Sequence, residues 1–289
     1  MKSVIFALFA TILLTTISYG ASNEINARYT HLQCRQTLAA AQAAELAKYV
    51  TAPSMDNLNA DMVELKKRAD TGIGRDFNNY IKNTIMSDFK NFQTELKTAR
   101  AGLKNAQITK ENRQALKDAW KSAVESFSQC NTNAQKDLVA ARSQTISDDV
   151  TKWDAEVANM KSKGLDTTEE EAVITDAKAL VTKLDGMATS DDATFKTQLD
   201  EARDSHLHIW ARFHAARLTS YLGKIKADAI AKGYAAQVSQ IEDLLNSAKA
   251  MALPGKKYPE NGFLQTWQNI RDAQTKLRDI TKALKGVQQ

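Results

Sequence analysis

Glycine and proline are scarce in this chain, which has eleven glycines and three prolines among its 289 residues. A β-sheet protein needs turn residues about every eight to twelve positions, with runs of Val, Ile and Thr between them. The sequence lacks both features, although 43% of its residues are hydrophobic. The composition therefore predicts an all-α protein.

The signature motifs of several large enzyme classes are also missing. The sequence contains no G-x-S-x-G elbow, no H-E-x-x-H zinc motif, no Walker A loop and no G-x-G-x-x-G fingerprint. Because no pattern in the chain points to catalysis, we predict a non-enzymatic protein that has no cofactor.

The first twenty residues predict export. Lys2 precedes an apolar run over residues 4–17 that is broken only by Thr, and Ser18 and Gly20 are small residues at positions −3 and −1 before Ala21. This order is typical of a cleaved secretory signal peptide. A membrane span needs about 20 apolar residues, so retention as an anchor is the less favoured alternative. We expect a secreted or periplasmic protein that begins at Ala21.

Positive charge is concentrated near the C-terminus. The formal net charge is +5, and removal of Lys2 with the leader would leave +4. From Lys249 onward, eight basic and three acidic residues give a local balance of +5. The basic residues that we expect to meet an anionic surface lie in the last predicted helix: Lys276, Arg278, Lys282 and Lys285. The alternatives are a weak, reversible contact with such a surface or a merely solvated helix face; we expect no nucleic-acid partner.

Apolar residues with heptad spacing recur along the chain. A helix predicted over residues 192–232 carries an apolar seam at alternating steps of four and three: Phe195, Leu199, Ala202, His206, Ile209, Phe213 and Ala216. This period is typical of a helix that packs lengthwise against others. The start of the seam recurs at Phe92 and Phe263, which indicates either internal duplication or convergence of similar seams. We predict an elongated antiparallel bundle of long helix hairpins.

Further helices are predicted over residues 23–50, 57–70, from about 76, from Thr109 to about 163, 167–184 and 262–285. A break within residues 131–133 is left open. Gly164 and Gly233, each after a basic residue, are expected to end helices, and Thr167-x-x-Glu170 is expected to form a capping box. We divide the mature chain into an N-terminal region, 21–163, and a C-terminal region of helical hairpins, 164–289.

Cys34 and Cys130 are the only cysteines in the sequence. An exported protein folds in an oxidising compartment, and both residues fall on predicted apolar seams. We therefore predict a structural Cys34–Cys130 disulfide. The absence of a Cys-x-x-Cys pair argues against a redox role.

Three of the four histidines lie within residues 206–214. Glu201, Asp204 and His208 follow one helix face at steps of three and four, a spacing that places metal-ligand types in line. The alternative is an exposed Asp204–His208 pair. His206 lies in the apolar seam, where a polar residue either fixes the helix register or contacts a ligand.

These features predict an exported, non-enzymatic helical binding, scaffold or envelope-associated protein that acts through its helix faces. Its partner, a protein or another envelope component, is not specified by the sequence. The alternative is an exported ligand or metal carrier that uses residues 201–214.

Overall fold

The computed structural model describes residues 22–104, 106, 108–202, 205–253, 262–284 and 286, and every regular element within these ranges is helical. In chain order the α-helices are α1 (Ser22–Ala47), α2 (Asp56–Thr71), α3 (Gly74–Tyr80), α4 (Met86–Gly102), α5 (Lys110–Ser162), α6 (Thr168–Thr189), α7 (Asp192–Ala202), α8 (Ser205–Ala231), α9 (Ala235–Met251) and α10 (Gly262–Leu284). A π-helical segment, Ile81–Ile85, joins α3 to α4. The predicted all-α fold is confirmed.

Two compact units divide the chain between Ala141 and Arg142. The division falls inside α5, which runs unbroken through residues 131–133. It therefore lies upstream of the division that we placed at the Gly164 turn. The predicted signal peptide, residues 1–20, lies outside the described residues. The elongated bundle and the internal duplication stay predictions.

The core of the first unit is formed by α1, α2, α3, the π segment and α4. Its fully buried side chains include Leu46, Leu65, Phe77 and Ile85. The buried positions of the continuous α3–π–α4 helix are Phe77, Ile81, Ile85, Phe89, Phe92 and Leu96. The first three steps are of four residues, more than the 3.6 of an α-helical turn. The wide π turn accommodates this spacing on one face.

In the second unit, α8, α9 and α10 pack around a core that includes Ala215, Ile241 and Ala273. Trp153 of α5 stacks on Phe213 of α8, with ring centroids 4.3 Å apart. The helix predicted over residues 192–232 is described as α7 and α8, and the two residues between them lie outside the description. Within the described ranges, no helix has both the length and the hydropathy needed to cross a membrane.

Two helix ends follow the sequence prediction closely. Gly164 has a φ of 70° and Gly233 a φ of 88°, a left-handed conformation that glycine adopts without steric cost. Leu165 N–H donates to the Met160 carbonyl at 3.2 Å, and Tyr234 N–H donates to the Ala229 carbonyl at 2.9 Å. Both are Schellman ends, so the two predicted stops are confirmed.

The predicted capping box at the start of α6 is wrong. The Thr167 hydroxyl donates to Glu171 Oε1 at 2.5 Å, and Asp166 Oδ1 accepts from Thr168 N–H at 3.0 Å. Glu170 is fully buried and accepts a hydrogen bond from the Ser220 hydroxyl of α8 at 2.7 Å. Because packing against α8 turns Glu170 inward, its carboxylate does not reach back to the helix start.

Candidate functional site

The predicted Cys34–Cys130 disulfide is confirmed, with the two Cα atoms 5.8 Å apart. It joins α1 to α5 within the first unit. Cys34 is buried, with 2% of its surface exposed, whereas Cys130 is exposed. His31 and Asn131 lie beside the bridge, and burial, followed by the charge of Arg35, lowers the pKa of His31 to about 4.

The candidate metal or ligand residues of 201–214 are only partly described. His208 is buried in α8, with 3% of its surface exposed. Asp204 and the side chains of Glu201 and His206 lie outside the described residues. In the part of the chain that is described, no three His, Cys, Asp or Glu side chains are grouped as a metal site would require. The metal or ligand hypothesis stays an untested prediction.

The four candidate anion-binding residues of α10 have different surroundings. Lys276 is half-buried, and its ammonium donates to Gln240 of α9 at 2.9 Å. Arg278 and Lys282 are exposed, and Arg278 approaches Asp279 at 3.8 Å. Lys285 lies outside the described residues. Among the described members of these four candidates, Arg278 and Lys282 are therefore the two that are open to solvent.

A groove lies on the surface of the first unit. It runs between the α1–α2 connection and α4, and we call it the α4 groove. It consists of two adjoining clefts of about 280 Å³ and about 360 Å³ that share Thr94 and Glu95. The remaining lining residues are Ser54, Asn57, Leu58, Asp88, Asn91 and Phe92 in the first cleft, and Thr51, Ala52, Pro53, Thr98 and Ala99 in the second. Asp88 and Glu95 are the ionisable members of this lining, so the groove is acidic.

Asp88 belongs to a cluster of polar side chains behind the groove wall. Tyr80 donates a hydrogen bond from its hydroxyl to Asp61 Oδ1 at 2.6 Å, and Asp61 faces Asp88 closely enough for their carboxyl groups to share a hydrogen bond. Oδ2 of Asp88 is buried and accepts no hydrogen bond from any described donor. Two carboxylates can only accept hydrogen bonds, so a bond between them requires a proton on one of the two.

The π segment brings this cluster together. In an α-helix, residues eight apart differ by about 80° around the axis, since each residue turns by about 100°. A π turn contains about one residue more than an α turn, so Asp88 lies within about 20° of Tyr80 instead. Both side chains can therefore reach the same residue of α2, Asp61. π turns occur often at functional sites.

The cluster has perturbed proton affinities. Burial, followed by the hydrogen bond and charge of Asp61, raises the pKa of Asp88 to about 6. The hydrogen bond with Asp88, followed by that with Tyr80, lowers the pKa of Asp61. Burial and the neighbouring Asp61 raise the pKa of Tyr80 to about 12, so its phenol remains a donor. The pair thus holds one proton more tightly than isolated carboxyls do.

Arg68 lies near the cluster but is neutralised by other groups. Its Nη1 donates to both carboxylate oxygens of Asp76 at 2.7 Å, and its Nη2 pairs with Glu64 at 3.1 Å. Its guanidinium lies over the Tyr80 ring, 4.4 Å from the centroid. Arg68 therefore fixes Tyr80 in position, while Asp61 is the charged group that acts on Asp88.

Sequence reasoning missed the α4 groove and the Asp61–Asp88 pair. One signal could have pointed to them: the apolar spacing of four, repeated from Phe77 through Phe89, does not fit an α-helix and indicates a local π turn. No sequence pattern predicts the pairing of Asp61 with Asp88, because the two residues lie on different helices.

No family model matches the chain, and neither a curated protein nor a solved structure does.

Proposed function

We propose that the protein is an exported, non-enzymatic helical binding protein, and that the α4 groove of its first unit receives an extended, positively charged peptide segment of an envelope partner. The observation that carries this proposal is the groove itself, two adjoining clefts whose ionisable lining consists of Asp88 and Glu95. Export is supported by the signal-like leader and by the disulfide, a bond that persists in oxidising compartments.

The dimensions of the groove suit an extended peptide. From Asp88 to Ala99 the α4 axis advances by about 16 Å, at 1.5 Å per residue, and about five residues of extended chain cover that length. The two clefts together reach the volume of ordinary ligand pockets, roughly 300–1,000 Å³. Peptide side chains can enter the two clefts in turn.

Charge and polarity select the kind of peptide. Exposed Ser54, Asn57, Asn91, Thr94 and Thr98 can exchange hydrogen bonds with a peptide backbone. Asp88 and Glu95 favour Lys or Arg side chains, because complementary charge raises both association rate and specificity. The expected partner is therefore a basic, polar segment rather than an apolar helix.

Site-specific photo-crosslinking tests the proposal in the exporting host. A photoreactive residue replaces Thr94, which is exposed and shared by both clefts. Thr175 of α6 is the matched control, because it is also exposed. The hydroxyls of both threonines bind the carbonyl four residues earlier, Lys90 at 3.0 Å and Glu171 at 2.9 Å. We expect a crosslink to a basic segment from position 94 and none from position 175. Equal crosslinking from both positions would contradict a role for the groove.

A binding measurement tests the charge argument separately. A rhodamine-labelled pentapeptide with two lysines is titrated with the mature protein, with a Glu95→Gln variant and with a Glu125→Gln variant. Glu125 is an exposed carboxylate of α5 in a loose pair with Lys121, 3.8 Å apart. We expect Glu95→Gln to weaken binding about two- to fivefold, the effect of one exposed charge pair. Glu125→Gln should leave binding unchanged, and equal losses in both variants would show a long-range charge effect instead of a groove.

A further inference from the structure

The Asp61–Asp88 pair has no cationic partner of its own within the described contacts. From α2, the charged groups near it are Asp61, Glu64 and Arg68, and the last two bind each other at 3.1 Å. From α3, Tyr80 donates to Asp61. Asp88 and Glu95 are the ionisable groups that α4 contributes to the groove.

Among the described contacts of the other elements packed against α4, no cation pairs with Asp61 or Asp88. On α1, Arg28 pairs with Glu24 and Lys48 with Glu45. Lys82 of the π segment is exposed. Two ionised carboxylates in this position would repel each other, and a single shared proton removes that repulsion.

We propose that the Asp61–Asp88 pair switches the charge of the α4 groove with pH: at mildly acidic pH the two carboxyls share one proton, and near neutrality Asp88 releases it and becomes a negative wall of the groove. This inference rests on the proposed function only where it concerns the bound peptide. The switch itself depends on the geometry of Asp61, Tyr80 and Asp88.

The direction of the switch follows from the raised pKa of Asp88, about 6 against an ordinary 3.8. Below about pH 6 Asp88 is mostly neutral and donates or shares its proton with Asp61. Above that pH it is ionised, and the groove carries the charges of Asp88 and Glu95 together. A cationic peptide should therefore bind more tightly at neutral pH and dissociate in a mildly acidic medium.

The raised pKa of Asp88 also makes the stability of the fold depend on pH. Because the folded state binds this proton more tightly than the unfolded chain, the contribution of Asp88 to stability falls as the pH rises from about 3.8 to about 6. Asp88→Asn keeps the shape of the side chain without its charge. It should therefore leave the fold intact and raise the thermal midpoint above pH 6.

The test has two independent arms. The first is carbon-13 NMR of Asp side-chain carboxyls in the mature chain, titrated from pH 3 to pH 8. We expect the Asp88 resonance to titrate near pH 6, and to move toward its ordinary range in Asp61→Asn, which removes the partner charge. A titration of Asp88 near 3.8 in the wild-type chain would overturn the proposal, whatever the peptide does.

The second arm measures the affinity of the rhodamine-labelled pentapeptide at pH 5.0 and pH 7.5, at constant ionic strength. We expect the wild-type chain to bind about three- to tenfold more tightly at pH 7.5. Asp88→Asn should bind at both pH values with the wild-type affinity of pH 5.0. Asp118→Asn, which alters an exposed carboxylate of α5, should behave as wild type.

The outcomes separate the two proposals. The same pH ratio in wild type and Asp88→Asn would overturn the role of the pair in peptide release. No peptide binding at either pH would contradict the proposed function, while a carboxyl titration near pH 6 would still support the charge switch.

Discussion

At the scale of single residues, the first unit contains a polar group that no described donor or acceptor satisfies. His31 of α1 is 8% exposed, and neither of its ring nitrogens makes a hydrogen bond of normal geometry, nor does the buried Oδ1 of the facing Asn131. Burial without a partner costs about 1–3 kcal/mol per polar group. His31 therefore destabilises the unit even while it is neutral, and more so when acid would protonate it.

The first prediction concerns this histidine. Its pKa is lowered from 6.5 to about 4. The unfolded chain therefore binds the proton more tightly than the folded state, and the folded state loses stability as the pH falls through that window. At pH 5 the loss is about 2 kcal/mol. We expect His31→Leu to raise the free energy of unfolding by about that much more at pH 5 than at pH 7.5, as measured by urea denaturation.

Gln33→Leu, an exposed change on the same helix, is the control and should show no such pH dependence. Asp88 acts in the opposite direction between pH 4 and 6, so each variant is compared with wild type at the same pH. An equal gain from His31→Leu at both pH values would contradict a depressed histidine pKa.

At the scale of helices, the sequence predicts structure best where residues within one helical turn determine where a helix ends. Gly164 and Gly233 end their helices because a residue in the left-handed conformation is needed there. Prediction failed where a residue distant in sequence determines the direction of a side chain, as Ser220 does by its hydrogen bond to Glu170. It also failed at the π segment, because a helix was predicted from about residue 76 without the wide turn at Ile81–Ile85.

The second prediction concerns that segment. Deletion of Asn83, an exposed residue of the π segment, would leave too few residues for the wide turn. The segment would then close into an ordinary α-turn. Because the π turn contains about one residue more than an α-turn, the deletion leaves Phe89, Phe92 and Leu96 in phase with the core face. We therefore expect the first unit to keep its cooperative unfolding transition, as followed by circular dichroism and hydrogen exchange.

Asn83→Ala is the matched control, because it changes the same exposed position without removing a residue from the turn. It should unfold within about 0.5 kcal/mol of wild type, as ordinary surface substitutions do. Loss of the transition in the deletion variant alone would contradict the prediction and show that the core requires the wide turn itself.

At the scale of the whole molecule, the two units differ in how they are held together. Both cysteines belong to the first unit and the second unit has none. The bridge spans 96 positions, and closure of so long a loop stabilises by at most about 4–5 kcal/mol in the chain-entropy model. The disulfide therefore stabilises only the first unit against unfolding, while the stability of the second unit depends on its helix packing.

The third prediction is that Cys34→Ala with Cys130→Ala lowers the stability of the first unit by up to about 4 kcal/mol. Hydrogen exchange should increase in α1–α4 and stay unchanged in α8–α10. The wild-type chain treated with a reductant should show the same pattern. Equal loss of protection in both units would mean that they unfold as one cooperative body.

The fourth prediction concerns attraction to anionic membranes, expected from the basic end of the sequence. Arg278 and Lys282 are the exposed groups to test. Each basic group near an anionic membrane contributes about 1 kcal/mol, so Arg278→Gln with Lys282→Gln should weaken co-sedimentation with anionic vesicles by up to about thirtyfold. Binding should also fade as salt shortens the Debye length from about 10 Å at 0.1 M to about 3 Å at 1 M.

The matched control is Lys121→Gln with Lys152→Gln, which removes two charges from side chains that are 76% and 72% exposed. It has the same net charge as the test variant, so a difference between the two assigns the attraction to α10. Identical sedimentation of both variants would reduce the basic segment to a solvated helix face.

The unequal exposure of the two bridged cysteines gives thiol exchange a direction. An external thiolate attacks the sulfur that it can reach, which is that of exposed Cys130, and buried Cys34 is then the thiolate that leaves. In a glutathione buffer we therefore expect the mixed disulfide with glutathione to form on Cys130. Cys34 is then the buried free thiol that can resolve it. Attack by the Cys34 thiolate on the Cys130 sulfur breaks the bond to glutathione, releases the glutathione thiolate and restores the native bridge, a step that needs no added oxidant.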